Sequence, residues 1–556
     1  MRLRPYLRCA VRLGLLPLVC LALRTADAGS ATWNLNPTSG DWNTAANWSP
    51  ATVPNGPSDV ATFAVSNTIA LSLSAATEVG TTSYSAGASA FTTTVPGTVS
   101  LTLSDSGITN NSGVMQNFVA DANPSGGGSI TFTNSATAGV LTTFNVRPPV
   151  IPGRSGGSLT FDDTSSAGES IIITDGPVVT NGTQAVTAFH QSASAANATL
   201  IANASHAHTD YVGGVIDFFD TSTAGDSNIT IQAPSASHQF GGFLQFFNTA
   251  TAGDAVITVV GTQSGPGGGG VVYFRDTSTA GNATLIVESA VGPGIGGQIQ
   301  FFGESNGGSA RLEVFGNGIA GPAETWGSIE GDGQVFTFSG GMAIGSNNLS
   351  TVFSGVIADG ASSGGLTKVG TGTLTLSGAN TYTGATTVSQ GALVVANATG
   401  SATGTGAVTV TGGTMGGKGI IAGTVTVGTG AGSGAFLAPA FESPKQVTLT
   451  LQSSLTLQAD ATYTYTFKAR DNEARSDLVI ANGVTINGAK IKLKGKTQGT
   501  LTPGTVLTVI SNTSANPISG TFSNLADGAI VIINGTNFQA SYTGDDGNDL
   551  TLTVVP

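Results

Sequence analysis

The residues of this chain that could do chemistry are few and scattered. Gly360-Ala361-Ser362-Ser363-Gly364 has the G-x-S-x-G form of a hydrolase elbow. That elbow needs a strand-to-helix turn and a histidine later in the chain, whereas the last histidine is His238. Gly412 to Lys418 has the spacing of a phosphate loop, but Gly419 stands where a Ser or Thr must meet magnesium, and no helix former follows. His206-Ala207-His208-Thr209-Asp210 would put two imidazoles on one strand face, with His190 and His238 in neighbouring repeats. Zinc wants three or four such ligands, and a solvated loop is the simpler expectation. Gly544 to Leu550 is similar to a calcium nonapeptide, yet Asp549 abuts Leu550 and no tandem copy follows. Asp226 and Asp254, at equivalent repeat positions, are a second weak cation candidate; calcium takes six or more oxygens. Asp162 and Asp163 near Arg154 come closest to the carboxylate cluster of a polysaccharide-cleaving site. Between residues 29 and 367 the only basic residues are Arg147, Arg154, Arg275 and Arg311. The expectation is therefore no catalytic residue, no cofactor and no metal, with these polar residues serving as turns.

What must position them is a repeat. From 126 to 315 one pattern recurs seven times, idealised as Gly-Gly-x-Ile-x-Phe-x-Asp-Thr-Ser-Thr-Ala-Gly-x-x-x-Ile-x-Val. Its anchors are Phe132, Phe161, Phe189, Phe218, Phe246, Phe274 and Phe301, spaced 27 to 29 residues apart. An apolar or Thr residue stands two before each anchor, from Ile130 to Ile299, and shares its strand face because side chains alternate. One such unit cannot bury its apolar face; stacked copies can, each strand pairing with its equivalent in the next unit. That predicts a β-solenoid with the phenylalanines as an internal stack. A β-propeller, with blades of 40 residues or more, suits the period less well. Two residues after each anchor stand Asn134, Asp163, Gln191, Asp220, Asn248, Asp276 and Gly303. No two carboxylates are neighbours there, as stacking requires of directly opposed like charges.

Arg2, Arg4, Arg8 and Arg12, the apolar run Leu13 to Leu23, and Ala26-Asp27-Ala28 form a secretory signal pattern, with cleavage expected after Ala28. Both cysteines, Cys9 and Cys20, fall inside it, so packing and hydrogen bonds must stabilise the remainder. That remainder carries 14 basic and 31 acidic residues. A net charge so negative argues against a nucleic-acid partner, which needs clustered Lys and Arg. Lys490, Lys492, Lys494 and Lys496 alternate with Ile491 and Leu493 in the opposite positions. This predicts an amphipathic strand whose lysines protect an exposed sheet edge, a ligand-binding basic strip being the weaker reading.

Residues 364 to 395, GGLTKVGTGTLTLSGANTYTGATTVSQGALVV, closely resemble the autotransporter-associated β-strand repeat, also called the passenger-associated transport repeat. Trp33 to Phe63, with Trp42, Trp48, Pro54 and Asp59, is similar to the openings of such passengers, and about 437 to 556 to their closing segments. The resemblance implies export and a right-handed parallel β-helix. It does not extend to a translocator barrel, for which the passenger-like ending Leu550 to Pro556 leaves no room, so self-translocation is not implied.

The expected organisation is a signal peptide at 1–28, an N-terminal cap and first coils at 29–125, and the seven-copy array at 126–315. Further coils, including the 364–395 repeat, fill 316–436, and a C-terminal cap fills 437–556. The expected function is that of a bacterial, exported structural or adhesive protein, secreted or at the cell surface, periplasm or outer membrane. Its partners would be extracellular glycans, matrix or cell surfaces, without nucleic acid and without a transmembrane helix after cleavage. The competing expectation is a carbohydrate-active β-helix enzyme.

Overall fold

The computed structural model describes residues 29–206, 213–235, 239–432, 434–471 and 473–556. The signal segment, His208, Asp210 and His238 lie outside these. The described chain is almost wholly strand and turn, with a single 3-10 turn at Ala45–Asn47. No helix of the described residues is long and apolar enough to cross a membrane, which says nothing of strands.

The chain winds as a parallel β-helix. A first sheet of fifteen strands runs from Trp48–Ser49 at its edge to Val356–Asp359. A second runs from Ala70–Ser72 through the array to Lys490–Gln498. After the first array coil, whose second strand is Thr142–Val146, each gives four residues to each sheet, such as Val215–Phe218 and Asn228–Ile231. The anchors are in strict register, Phe189 on Phe218 and Phe218 on Phe246. Between the two strands a single residue per coil pairs with its equivalents, Thr223 with Ser194 and Thr251. From Thr325–Trp326 onward this middle position widens into a third sheet of nine strands.

All seven anchor phenylalanines stack as the sequence predicts. Successive ring centroids are 4.6 to 4.9 Å apart, with interplanar angles of 3° to 10°. The rings are buried. Trp326 closes the column edge-on against Phe301 at 5.2 Å. At the other end Trp48 meets Trp33, Trp42 and Phe63 edge-on, and the three tryptophans cover the first coil around Phe63.

The turn after each anchor explains the Asn/Asp/Gln column. Asn134, Asp163, Gln191, Asp220, Asn248 and Asp276 all have φ between 49° and 59°, a left-handed conformation that Asn and Asp tolerate best after Gly. From Asp163 onward each side chain accepts a hydrogen bond from the backbone N–H one coil earlier: Asp163 from Asn134 at 2.8 Å, Asp220 from Gln191 at 2.9 Å, Asp276 from Asn248 at 2.8 Å, while Asn134 at the start donates to the Ser104 carbonyl. The alternation of carboxylate and amide thus belongs to a ladder of inter-coil bonds. A second left-handed turn follows at the Ala-Gly position. At Gly253, φ is 62° and a Cβ would sit 2.8 Å from the Gly225 carbonyl, so Gly is favoured there, although Ala196 holds the equivalent position of its coil at φ 49°.

Beyond the array the coils shorten. In the second sheet Leu374 pairs with Leu393 and Leu393 with Met415, intervals of 19 and 22 residues. The sequence expectation of one continuing solenoid gave no sign of this narrowing. The parallel ladder of the second sheet ends at Lys490–Gln498. The chain then closes with antiparallel pairs among Val506–Asn512, Ile530–Ile533, Thr536–Gly544 and Asp549–Val555.

Candidate binding face

Most polar candidates from the sequence are parts of turns. Ser362 Oγ accepts from the Ser339 N–H at 2.9 Å, and a strand, Leu366–Lys368, follows rather than a helix. Gly413–Gly417 is a strand of the second sheet, so no phosphate loop forms at 412–418. Asp549 closes a hairpin opposite Gly544 and accepts from the Asn512 N–H at 2.8 Å. Burial pushes its pKa upward. Asp254 accepts from Asn282 at 3.2 Å. Asp163 is committed to its turn bond, and burial raises the pKa of Asp162. Among the described residues the ion pairs join Arg147 to Asp121 and Arg311 to Glu313 and Glu330, and none joins Arg154 to Asp162 or Asp163. The His206 carbonyl accepts from Gln239 at 2.9 Å.

The structure instead assembles a face that the sequence reading passed over. Because Phe218, Phe246, Phe274 and Phe301 point inward, the residues on either side of each must point outward. One position after each anchor this outer column reads His190, Phe219, Phe247, Arg275 and Phe302. His190 stacks on Phe219 at 4.8 Å and 4°, and Phe219 on Phe247 at 4.8 Å and 8°. Arg275 continues the column with its Cζ 5.8 Å from the Phe247 centroid and 5.1 Å from that of Phe302. It also lies 4.7 Å over Tyr273. Tyr273 in turn meets Phe243 and Phe302 edge-on at 4.9 and 5.1 Å. Phe302 remains 41% exposed, and Phe219, Phe243, Phe247 and Tyr273 are half-buried.

Polar groups thread this aromatic strip. One position before the anchors, Asp217 accepts from Gln245 Nε2 at 3.0 Å, and Gln245 Oε1 accepts from Arg275 Nε at 3.3 Å. Burial pushes the Asp217 carboxyl up to about 6, opposed by the Gln245 bond and the Arg275 charge. A partly desolvated carboxylate, an amide and a guanidinium are therefore held by one another beside stacked ring faces. Such a set can hold a planar or ring-shaped, hydroxylated ligand: aromatic faces meet its C–H surface, and the polar groups exchange hydrogen bonds with its hydroxyls. The signal lay in the sequence as Phe-Phe at 218–219, 246–247 and 301–302. It was hidden because an outward position in a strand is ordinarily read as solvated.

The comparisons with known proteins are sparse. No curated protein matches the chain. Among solved structures it is similar to the crystal structure of the Haemophilus influenzae Hap adhesin at 11% identity. That match covers 89% of this chain and 63% of that one with a TM-score of 0.25. The family model of the passenger-associated-transport-repeat matches residues 366–395. That segment forms Leu366–Lys368, Thr373–Leu376, Thr386–Val388 and Ala392–Val395. The chain is thus a parallel β-helix that carries a passenger-associated transport repeat in its shorter coils.

Proposed function

We propose that this protein is an exported, non-enzymatic adhesive β-helix, displayed at or released from a bacterial surface, whose array binds glycan chains along its outer aromatic strip. The observation that carries this reading is the stack His190–Phe219–Phe247 continued by Arg275 and Phe302. The inner column already fills the core, so the outer rings add to the fold only cross-strand pair contacts of about 0.2–1 kcal/mol each. A continuous run of them favours a ligand over packing. The rings repeat at the coil spacing, which matches an extended polymer of sugar rings better than a compact ligand. Export is supported by the signal pattern at 1–28 and by the transport repeat.

A glycan array probed with the exported chain tests this, with surface fractionation of the producing cells alongside. Binding to a subset of polysaccharides that weakens at least about tenfold, roughly 1.4 kcal/mol, in Phe247→Ser/Tyr273→Ser is the expected result. A second reading has one observation behind it: Asp217, with its raised pKa and nearby Arg275, has the chemistry of a general acid. Polysaccharide turnover abolished in Asp217→Asn would make the protein an enzyme and displace the adhesive reading.

A further inference from the structure

The charge of the molecule is segregated. Lys490, Lys492, Lys494 and Lys496 stand exposed on the last strand of the second sheet. The strand beside it, Ala461–Arg470, adds exposed Lys468 and Arg470, and its antiparallel partner Glu473–Ser476 adds exposed Arg475. In register, Lys468 lies directly between Arg475 on one side and Lys496 on the other. No ion pair among the described residues involves any of these cations. Lys468 Nζ instead donates to the Pro444 carbonyl. All this occurs in a chain of formal net charge −13.

Edge protection accounts for the outer lysine row, since lysines on a terminal strand discourage pairing with another chain. It does not account for three cations abreast across three paired strands. Directly opposed like charges destabilise a sheet, and here one cation has a like neighbour on both sides. Thr462, Thr464 and Thr466 lie opposite Lys490, Lys492 and Lys494, so hydroxyls alternate laterally with ammonium groups. We infer that this terminal face is a binding site for an acidic polysaccharide, separate from the aromatic strip of the array. Lysine point charges at alternate residues suit carboxylates or sulfates spread along a chain, and Thr462 and Thr464 suit the hydroxyls between them, the Thr466 hydroxyl being bonded to Asp477. The planar bidentate clamp preferred for phosphate uses Arg, and only Arg470 and Arg475 are present.

The test is binding of the full exported chain to polygalacturonate and to dextran sulfate, by calorimetry, with duplex DNA and anionic lipid vesicles in parallel. The inference expects polysaccharide binding that weakens about tenfold or more between about 50 and 200 mM salt, as release of condensed counterions requires. Lys468→Glu and, separately, Lys492→Ala/Lys494→Ala should each weaken it about tenfold, whereas Arg147→Ala, which removes a cation of the array outside this face, should leave it unchanged. That comparison separates this face from the general charge of the molecule. No polysaccharide binding, tighter binding to DNA or vesicles, or binding unmoved by both lysine variants would overturn it. Circular dichroism and melting of each variant exclude misfolding as the cause, and the exposed Lys492→Ala/Lys494→Ala pair stands as the test if Lys468→Glu fails to fold.

Discussion

The array at 126–315 and the shorter coils around 366–395 solve the same stacking problem with opposite materials. In the array the interior is held by an aromatic column, and the turns by side chains bonded to the preceding coil's backbone. In the shorter coils the interior admits polar staples. Lys368 is 1% exposed, and its Nζ donates to the carbonyls of Val369 at 2.5 Å, Gly370 at 2.9 Å and Gln390 at 3.4 Å, tying one coil to the next. Buried Asn380 bridges two coils, accepting from the Ile357 N–H at 2.7 Å and donating to the Ala402 carbonyl at 2.5 Å. Buried Tyr382 shares a hydrogen bond with Thr386 at 2.6 Å. A wide coil has room for a ring per turn, so apolar burial holds it and its outer face is free to vary. A narrow coil brings backbone carbonyls into its interior, and those must be satisfied. The most recognisable residues of the transport repeat, Lys368, Asn380 and Tyr382, are therefore structural.

The largest expected effect breaks the aromatic column. Phe246 lies between Phe218 at 4.9 Å and Phe274 at 4.7 Å, so Phe246→Ala leaves a cavity with rings on both sides. A loss of about 3–5 kcal/mol is expected, read by denaturant unfolding and by hydrogen exchange in the coils on either side. A loss under about 1 kcal/mol would mean the column is not what holds the array.

Next comes the staple. Lys368→Ala should cost about 1–3 kcal/mol because it orphans buried carbonyls. Burial lowers the lysine's pKa to about 8 from the ordinary 10.5. The unfolded chain then binds more protons than the folded one between those values, so stability should rise as pH rises through that window. Measured between about pH 8 and 9, below the range in which the buried tyrosines ionise in the unfolded chain and oppose it, this slope should flatten in Lys368→Met. The array, with no such lysine, should show no local counterpart by hydrogen exchange.

A smaller effect sharpens the turn ladder. Asp220→Asn keeps the acceptor for the Gln191 N–H and should be near neutral. Asp220→Ala loses it at φ 58° and should cost about 1 kcal/mol. Equal effects of the two would show that conformation alone, and not the inter-coil bond, sets the column.

How much of this was legible in sequence follows from the same contrast. The Phe column and its partners two residues earlier could be read because a seven-fold period repeats the inward positions, and all seven stack. The Asn/Asp/Gln column was visible as an avoidance of adjacent carboxylates, although its cause, a side-chain bond to the neighbouring coil, needs the left-handed turn to be seen. Narrowing after 315 was not legible, because the coil intervals there vary too much to form a period. The lysine row at 490–496 could be read from one strand. The abutment of Arg475, Lys468 and Lys496 depends on which three strands pair, and no local pattern reports that. The outer aromatic strip was written in adjacent phenylalanine pairs, but alternation says only that their second rings face out.

The central claim is that the inside of the array holds the fold while its outside binds. One paired measurement on Phe247→Ser/Tyr273→Ser tests it: affinity for a polysaccharide identified on the glycan array, and the unfolding midpoint of the same sample. Binding weakened about tenfold or more, roughly 1.4 kcal/mol, with the midpoint essentially unchanged, is the expected result. Unchanged affinity, or affinity lost only in step with stability, would contradict it.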